Sequence, residues 1–295
     1  MKKRAILMIV IAGIFWGTSG IFVHYLSPHG FTSYQMTAIR AIVSTVCILT
    51  FALIKERAAF RVKPVDLLMF LGIGASLFFT ASLYYTSMQL TSVSTAVVLM
   101  YAAPIYVTVF SVLFLKEKMT KLKLAAVACM LVGCCLVAGV IGGLSFDGVG
   151  ILLGVLSGVS YATYNVLTKI AMLRKINPVS VTLYGFLFMS LISLFVLEPQ
   201  KVAEYASASP KTVIPLMIAL GICTFVIPYF LYTLAMNELS AGTASALGIV
   251  EPMAATLFSV LIFHERLSLL PAIGILLILG AICMIGKAET ESEDT

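Results

Sequence analysis

Residues 83–120 read LYYTSMQLTSVSTAVVLMYAAPIYVTVFSVLFLKEKMT, and residues 231–268 read LYTLAMNELSAGTASALGIVEPMAATLFSVLIFHERLS. Set one above the other without a gap, at a shift of 148 residues, they are identical at 14 of 38 positions. The matches run from Leu83/Leu231 and Tyr84/Tyr232 through Pro104/Pro252 and the FSVL block to Glu117/Glu265. A shared apolar composition raises the number of chance matches. It does not place a helix-interior proline and a charged pair thirteen residues later in one register. The chain is a duplication, and each copy lies in a stretch apolar enough for a membrane.

Composition points the same way. The 295 residues are 61% hydrophobic and 11% charged, with a mean hydropathy of +1.08, whereas a soluble domain carries roughly a quarter charged residues. So few ionisable groups cannot cover the surface of a soluble fold, so the expected class is an all-α membrane protein. The six cysteines (Cys47, Cys129, Cys134, Cys135, Cys223, Cys283) fall in apolar stretches without metal-ligand spacing and read as small packing residues. The net charge of +6 calls for no nucleic acid, because the lysines and arginines border apolar runs. Met1-Lys2-Lys3-Arg4 imitates the start of a signal peptide, but the apolar run behind it continues to about Leu26 and reads as a first span.

A spanning helix needs about 20 mostly apolar residues, and ten segments qualify: 5–26, 32–54, 67–88, 92–115, 122–141, 149–172, 179–197, 211–234, 240–263 and 269–287. With the N-terminus in the cytoplasm, 15 lysines and arginines fall inside and three outside (Lys201, Lys211, Arg266), with Arg40 inside the second span. Both termini are therefore expected in the cytoplasm of a bacterial-type inner membrane. Five spans per copy is an odd number, so the second copy enters the membrane inverted. Residues 1–141 form the first five-helix repeat and 142–287 the second, with 288–295 an acidic, disordered cytoplasmic tail. The loop from Glu198 to Lys211 has room for a short interfacial segment. Inverted halves can rock and expose a midplane site to each side in turn, which argues for transport.

Each half also has an aromatic in its first span, FWGTSG at Phe15–Gly20 and SYATYN at Ser160–Asn165. Each has a proline in its fourth span, a closing E-[KR]-[ML]-[ST] (Glu117–Thr120, Glu265–Ser268), and G-x5-G in its fifth (Gly133/Gly139, Gly280/Gly286). This pattern resembles the EamA-type members of the drug/metabolite transporter superfamily over essentially the whole membrane region. The resemblance implies ten helices in two inverted five-helix repeats and a central cavity. It also implies proton-coupled or facilitated movement of amino acids, nucleosides, other metabolites or drugs. Organic-phosphate exchangers of that superfamily would show more buried cations than Arg40, with Lys169 near a cytoplasmic end, so that branch is disfavoured.

Glu251 is the only carboxylate within a span, beside Pro252, where its repeat mate is Ala103. Such a group marks a proton-coupling site or an anchor for a substrate cation. The structural alternative is a permanent partner for Arg40, or an acceptor for donors freed at the kink. Arg40 can bind a substrate carboxylate bidentately or brace helices. Trp16, Tyr84, Tyr85, Tyr101, Tyr161, Tyr164, Tyr229 and Tyr232 lie within spans rather than only in interfacial belts and are expected to line a cavity, with helix packing as the alternative. Trp16 aligns with Tyr161 when the first spans are superposed, a shift of 145. Asn165 and Gln35 would supply polar groups to the same cavity or act as interhelical glue. Pro104, Pro228 and Pro252 are candidate hinges. The stripe Ala241, Ser245, Gly248, Pro252 and the G-x5-G pairs read as packing, and His24, His29 and His264 as solvated.

There is no Walker loop, Gly-x-Ser-x-Gly or His-Glu-x2-His, so no cofactor, metal or enzymatic activity is expected. The expectation is a secondary transporter, monomer or homodimer in the lipid bilayer, exporting a small-molecule substrate: an organic metabolite, an amino acid or a drug-like compound. Proton antiport through Glu251 is its coupling and alternating access its mechanism. Uptake is the main alternative, and a receptor or intramembrane enzyme the remote one.

Overall fold

In the computed structural model, residues 2–116, 120–138, 147–264 and 268–291 are described, without the side chains of 94 and 289–291. They form fifteen α-helices: α1 Lys2–Gly17, α2 Ser19–Leu26, α3 Ser33–Lys55, α4 Pro64–Leu90, α5 Val93–Tyr101, α6 Ala103–Phe110, α7 Lys121–Val137, α8 Gly148–Leu173, α9 Pro178–Leu197, α10 Pro199–Ala208, α11 Pro210–Gly221, α12 Ile227–Ala235, α13 Ala241–Leu247, α14 Val250–Phe263 and α15 Leu269–Glu291. Grouped end to end, nine of the described helical runs are long and apolar enough to cross a membrane. The tenth expected span is α7, whose 17 residues run up to the edge of the described region. The chain is an integral, multi-pass, all-α membrane protein.

The duplicated stretch folds alike in both copies. Ser92 and Ser240 cap α5 and α13, their side chains accepting from the N–H of Thr95 at 3.1 Å and of Thr243 at 3.2 Å. Both spans are then interrupted, at Ala102 and at Gly248–Ile249, so α6 and α14 are the second halves of broken helices. Both end in a left-handed residue, Lys116 (φ 54°) and His264 (φ 55°). There the N–H returns to the carbonyl five residues back, Ser111 and Ser259 respectively. The shift of 145 found in the first spans also relates Gly30 (φ 96°) to Lys175 (φ 56°) after α2 and α8.

Packing follows the same symmetry. α4 lies on α8 and α1 on α12, contacts that exchange when the repeats are exchanged. The pairs α3 with α9 and α7 with α15 map onto themselves, as helices beside a two-fold axis must. The α3–α9 seam is tied along its length. Gln35 Nε2 donates to Glu198 Oε2 (2.9 Å), Thr45 and Ser190 share a hydroxyl bond (2.9 Å), and Asn177 Nδ2 donates to Glu56 Oε1 (3.2 Å). Gln35 also closes a capping box with Thr32, so it is interhelical glue rather than a cavity amide. At the expected interfacial segment α10 lays Tyr205 edge-on against Phe31, ring centroids 5.3 Å apart.

Two expectations need correction. The G-x5-G pairs are not a common scaffold. Gly133 meets Gly274, each with its would-be Cβ within 2.8 Å of the other's carbonyl oxygen, while Gly280 and Gly286 have nothing within 4 Å. Gly139 lies outside the described residues. The tail is not irregular from residue 288, because α15 continues to Glu291; Ala, Glu and Lys sustain a helix and no Gly or Pro stops it there.

Candidate functional site

A cavity of about 430 Å³ sits inside the bundle. Its wall runs along the first span from Trp16 to Val23, along α4 from Leu77 to Met88, and from Val93 to Pro104 on the fourth span. It therefore reaches from mid-bundle to the end that carries the 27–32 and 91–92 connections. The other end is closed: Val107 of α6, Ala162 of α8 and Ala241 of α13 form one fully buried cluster. Lys169 donates there to the carbonyls of Met236 and Leu239, both at 2.8 Å.

Arg40 enters this cavity from α3. Its Nη2 donates to Thr37 Oγ1 (2.8 Å) and Tyr85 Oη (3.1 Å), and its guanidinium lies 4.9 Å from the centre of the Phe225 ring. Nε is buried without a partner. The fork is thus held by a helix neighbour, a tyrosine and a ring face, with donors left over for a carboxylate.

The backbone opposite Arg40 departs from the repeat. Gly74 presses against α9 at the Gly185 carbonyl and Phe188, while Gly221 presses against α3 at Val43 and the Arg40 carbonyl. Gly185 and Phe188 are the counterparts of Arg40 and Val43 at the shift of 145, so Gly74 and Gly221 are counterparts too, 147 apart. Leu83, nine residues after Gly74, and Leu231, ten after Gly221, are 148 apart. The extra residue is absorbed by the π-turn Ile222–Val226, where α4 is regular. Where one copy has Gly185 the other has Arg40, and the π-turn brings Phe225 under its guanidinium.

Glu251 faces the cavity from the other broken helix. It lies near the Tyr101 hydroxyl. The N–H of Glu251 bonds Gly248 O (3.0 Å), a carbonyl that Pro252, lacking a donor, leaves unbonded. No ion pair joins Arg40 to Glu251. A guanidinium and a carboxyl group therefore stand in one cavity without direct contact.

Among the other candidates, Trp16, Tyr84, Tyr85, Tyr101, Tyr161 and Tyr229 are on the cavity wall. Trp16 packs edge-on against Tyr229, centroids 5.1 Å apart, and its Nε1 is buried without a partner. Tyr164, Asn165 and Tyr232 lie behind the wall, fully or almost fully buried. The Tyr232 hydroxyl donates to Asn165 Oδ1, and Asn165 Nδ2 donates to the Tyr161 carbonyl (2.7 Å). Asn165 and Tyr232 thus satisfy each other and support the wall rather than face a solute, whereas the Tyr164 hydroxyl is buried without a partner. Pro104 and Pro228 each sit second in a helix that follows an interruption, and Pro252 third. The stripe Ala241, Ser245, Gly248 is buried helix contact, although Ser245 and Gly248 also reach the cavity. His24 and His264 are exposed and His29 half-exposed, as expected.

Sequence reasoning missed Thr37 and Phe225. Thr37 was findable, since position i−3 shares a helix face with Arg40. Phe225 was not, because its direction depends on the π-turn.

Comparison with known proteins supplies the lineage. The model of the EamA-like transporter family matches residues 3–139 and again 148–287. An uncharacterized transporter of Archaeoglobus fulgidus is 29% identical over 276 residues, covering 93% of both chains. The uncharacterized transporter YxxF of Bacillus subtilis is 24% identical over 306 residues, covering 100% of this chain and 94% of its own. One crystal structure shares the fold with a TM-score of 0.78 at 20% identity, covering 99% of this chain and 100% of the other. Two family matches, one for each half of a bundle with a cavity between them, leave one conclusion: the chain belongs to the EamA-like transporter family and is a membrane transporter.

Proposed function

We propose that this transporter is a secondary exporter of a small zwitterionic organic solute, an amino acid being the simplest. The observation that carries the reading is that Arg40 and Glu251 share one cavity, open at one end, without contacting each other. Arg40 takes the solute carboxylate with its unused donors, and Glu251 takes the ammonium group. The rings of Trp16, Tyr84 and Tyr229 hold the body of the solute by stacking and burial. The volume, about 430 Å³, falls within the roughly 300–1,000 Å³ of small-molecule sites.

The charge bias puts the open end outside the cell, so this conformation faces outward. Alternating access then proceeds by closing that end and opening the one held by Lys169, with Pro104, Pro228 and Pro252 at the interruptions where helices bend. Glu251 couples export to protons by exchanging its proton for the solute amine. No ATP-binding motif is present, so the gradients supply the energy.

The test is a thermal-shift screen of purified protein with millimolar metabolites and cationic drugs, then liposome flux with the hits. Zwitterions should stabilise the protein, and Arg40→Lys, which cannot form the planar fork, should weaken that effect. Stabilisation by neutral or purely cationic compounds, undiminished in Arg40→Ala, removes the substrate assignment. Flux indifferent to the proton gradient, with Glu251→Gln fully active, removes proton coupling.

A further inference from the structure

The closed end of the cavity shows what a shut gate looks like in this protein. Lys169, near the end of α8, donates to the carbonyls of Met236 and Leu239 in the connection between α12 and α13, each at 2.8 Å. The repeat maps this latch onto the open end: Lys169 corresponds to His24 at the shift of 145, and Met236 and Leu239 to Met88 and Thr91 at 148. There the contact is not made. His24 packs instead on Phe263, ring centroids 4.4 Å apart, and on Tyr25, and α2 lies against α11 and α14.

The two ends differ at one turn of helix. α8 is continuous through Thr163, whose hydroxyl bonds the Val159 carbonyl four residues back (3.0 Å). Its counterpart Thr18 interrupts the first span. Both its N–H (3.1 Å) and its hydroxyl (2.6 Å) take the Phe15 carbonyl, and the Ser19 hydroxyl takes the Trp16 carbonyl (2.7 Å). Local hydroxyls thus satisfy the Phe15 and Trp16 carbonyls at the break, which lowers its cost inside a membrane. Beyond it, Ser19, Gly20 and Val23 form the mouth of the cavity, with Met88 and Val93 on other elements of the same wall.

We propose that Ser19–Leu26 is the gate of the open end, turning about Thr18, and that closure brings the His24 imidazole onto the carbonyls of Met88 and Thr91. The last carbonyls of a helix such as α4 lack intrahelical donors and lie at the negative end of its dipole. An imidazole N–H from across the mouth is a chemically suitable partner, as the Lys169 ammonium is at the other end. An imidazole carries at most two N–H donors where Lys169 carries three. The outer latch is therefore the weaker of the two, in keeping with the end that stands open. This gate rests on the alternating-access reading, since it supplies the closing movement.

Two experiments test it without a known solute. In the first, His24→Cys/Thr91→Cys protein in native membranes is treated with a short bifunctional methanethiosulfonate. Peptide mass spectrometry identifies the joined residues, because six cysteines are native. A link between 24 and 91 is expected. In the second, Met100→Cys on the cavity wall is labelled by an impermeant maleimide from the side of His24. Adding His24→Lys, which copies the Lys169 latch, should slow labelling about tenfold, the weight of one hydrogen bond to a charged group. His24→Ala should label no more slowly than the parent. Absence of the 24–91 link overturns the proposal, and so does His24→Lys labelling at the parental rate. If the double variant fails to reach the membrane, the labelling result decides alone. A closing gate in a protein that moves no solute would leave this inference standing and remove the transport reading.

Discussion

Replacing Gly274 by alanine should destabilise the bundle, whereas the same change at Gly280 should not. A Cβ at Gly274 would stand 2.6 Å from the Gly133 carbonyl oxygen, and one at Gly133 2.8 Å from the Gly274 oxygen. The obstructing atoms are backbone, so α7 and α15 must move apart. Such overpacking costs about 1–3 kcal/mol, offset by the roughly 1 kcal/mol that alanine gains over glycine in a helix. The net loss is about 1 kcal/mol, at most about 2. At Gly280 nothing lies within 4 Å, so only the propensity gain, up to about 1 kcal/mol, remains. The two variants should differ by about 2 kcal/mol, a factor of roughly 30 in an unfolding equilibrium. Denaturation by sodium dodecyl sulfate in mixed micelles, followed by the exposure of native thiols, gives that ratio. Equal destabilisation by Gly274→Ala and Gly280→Ala would refute the reasoning, because it would mean that α7 and α15 meet along the repeated G-x5-G.

Three further outcomes are expected. Tyr85→Phe removes one acceptor of the Arg40 fork and should weaken binding of a confirmed zwitterion about tenfold by ligand-induced thermal shift; unchanged affinity would show that Tyr85 does not orient Arg40. Tyr232→Phe and Asn165→Leu should each destabilise the fold by about 1 kcal/mol, and the double variant by less than their sum, as double-mutant cycles of buried polar pairs in membranes show; additive losses would mean that the pair is not coupled. Lys169→Met removes both bonds at the closed end and should speed the labelling of Ser245→Cys by an impermeant maleimide added at the end where α1 begins; an unchanged rate would show that the apolar cluster of Val107, Ala162 and Ala241 closes that end unaided.

Much of the architecture was legible because repetition is itself a signal. Pro104/Pro252 and the paired block around them exposed the duplication, and an odd number of spans per copy made inversion unavoidable. Arg40 and Glu251 could be singled out because ionised groups are rare inside a bilayer. Which aromatics face the cavity could not be read. Helices in lipid are apolar all round, so no polar face fixes their rotation, and Tyr161 on the wall looked no different from Tyr164 behind it. The contact of Gly133 with Gly274 was equally hidden, because a motif written along one helix says nothing of where its partner crosses.

The π-turn beneath Arg40 has a genetic reading. Since the two halves arose from one gene they have come to differ by a single codon in this stretch, nine residues from Gly74 to Leu83 against ten from Gly221 to Leu231, opposite the place where the first carries arginine instead of glycine. Recognition chemistry and the length change that accommodates it would then be two parts of one historical event. Deleting Cys223 alone should return that helix to the uniform register of its counterpart α4, whereas excising a residue from the matching stretch of α4 should rotate everything beyond it out of place.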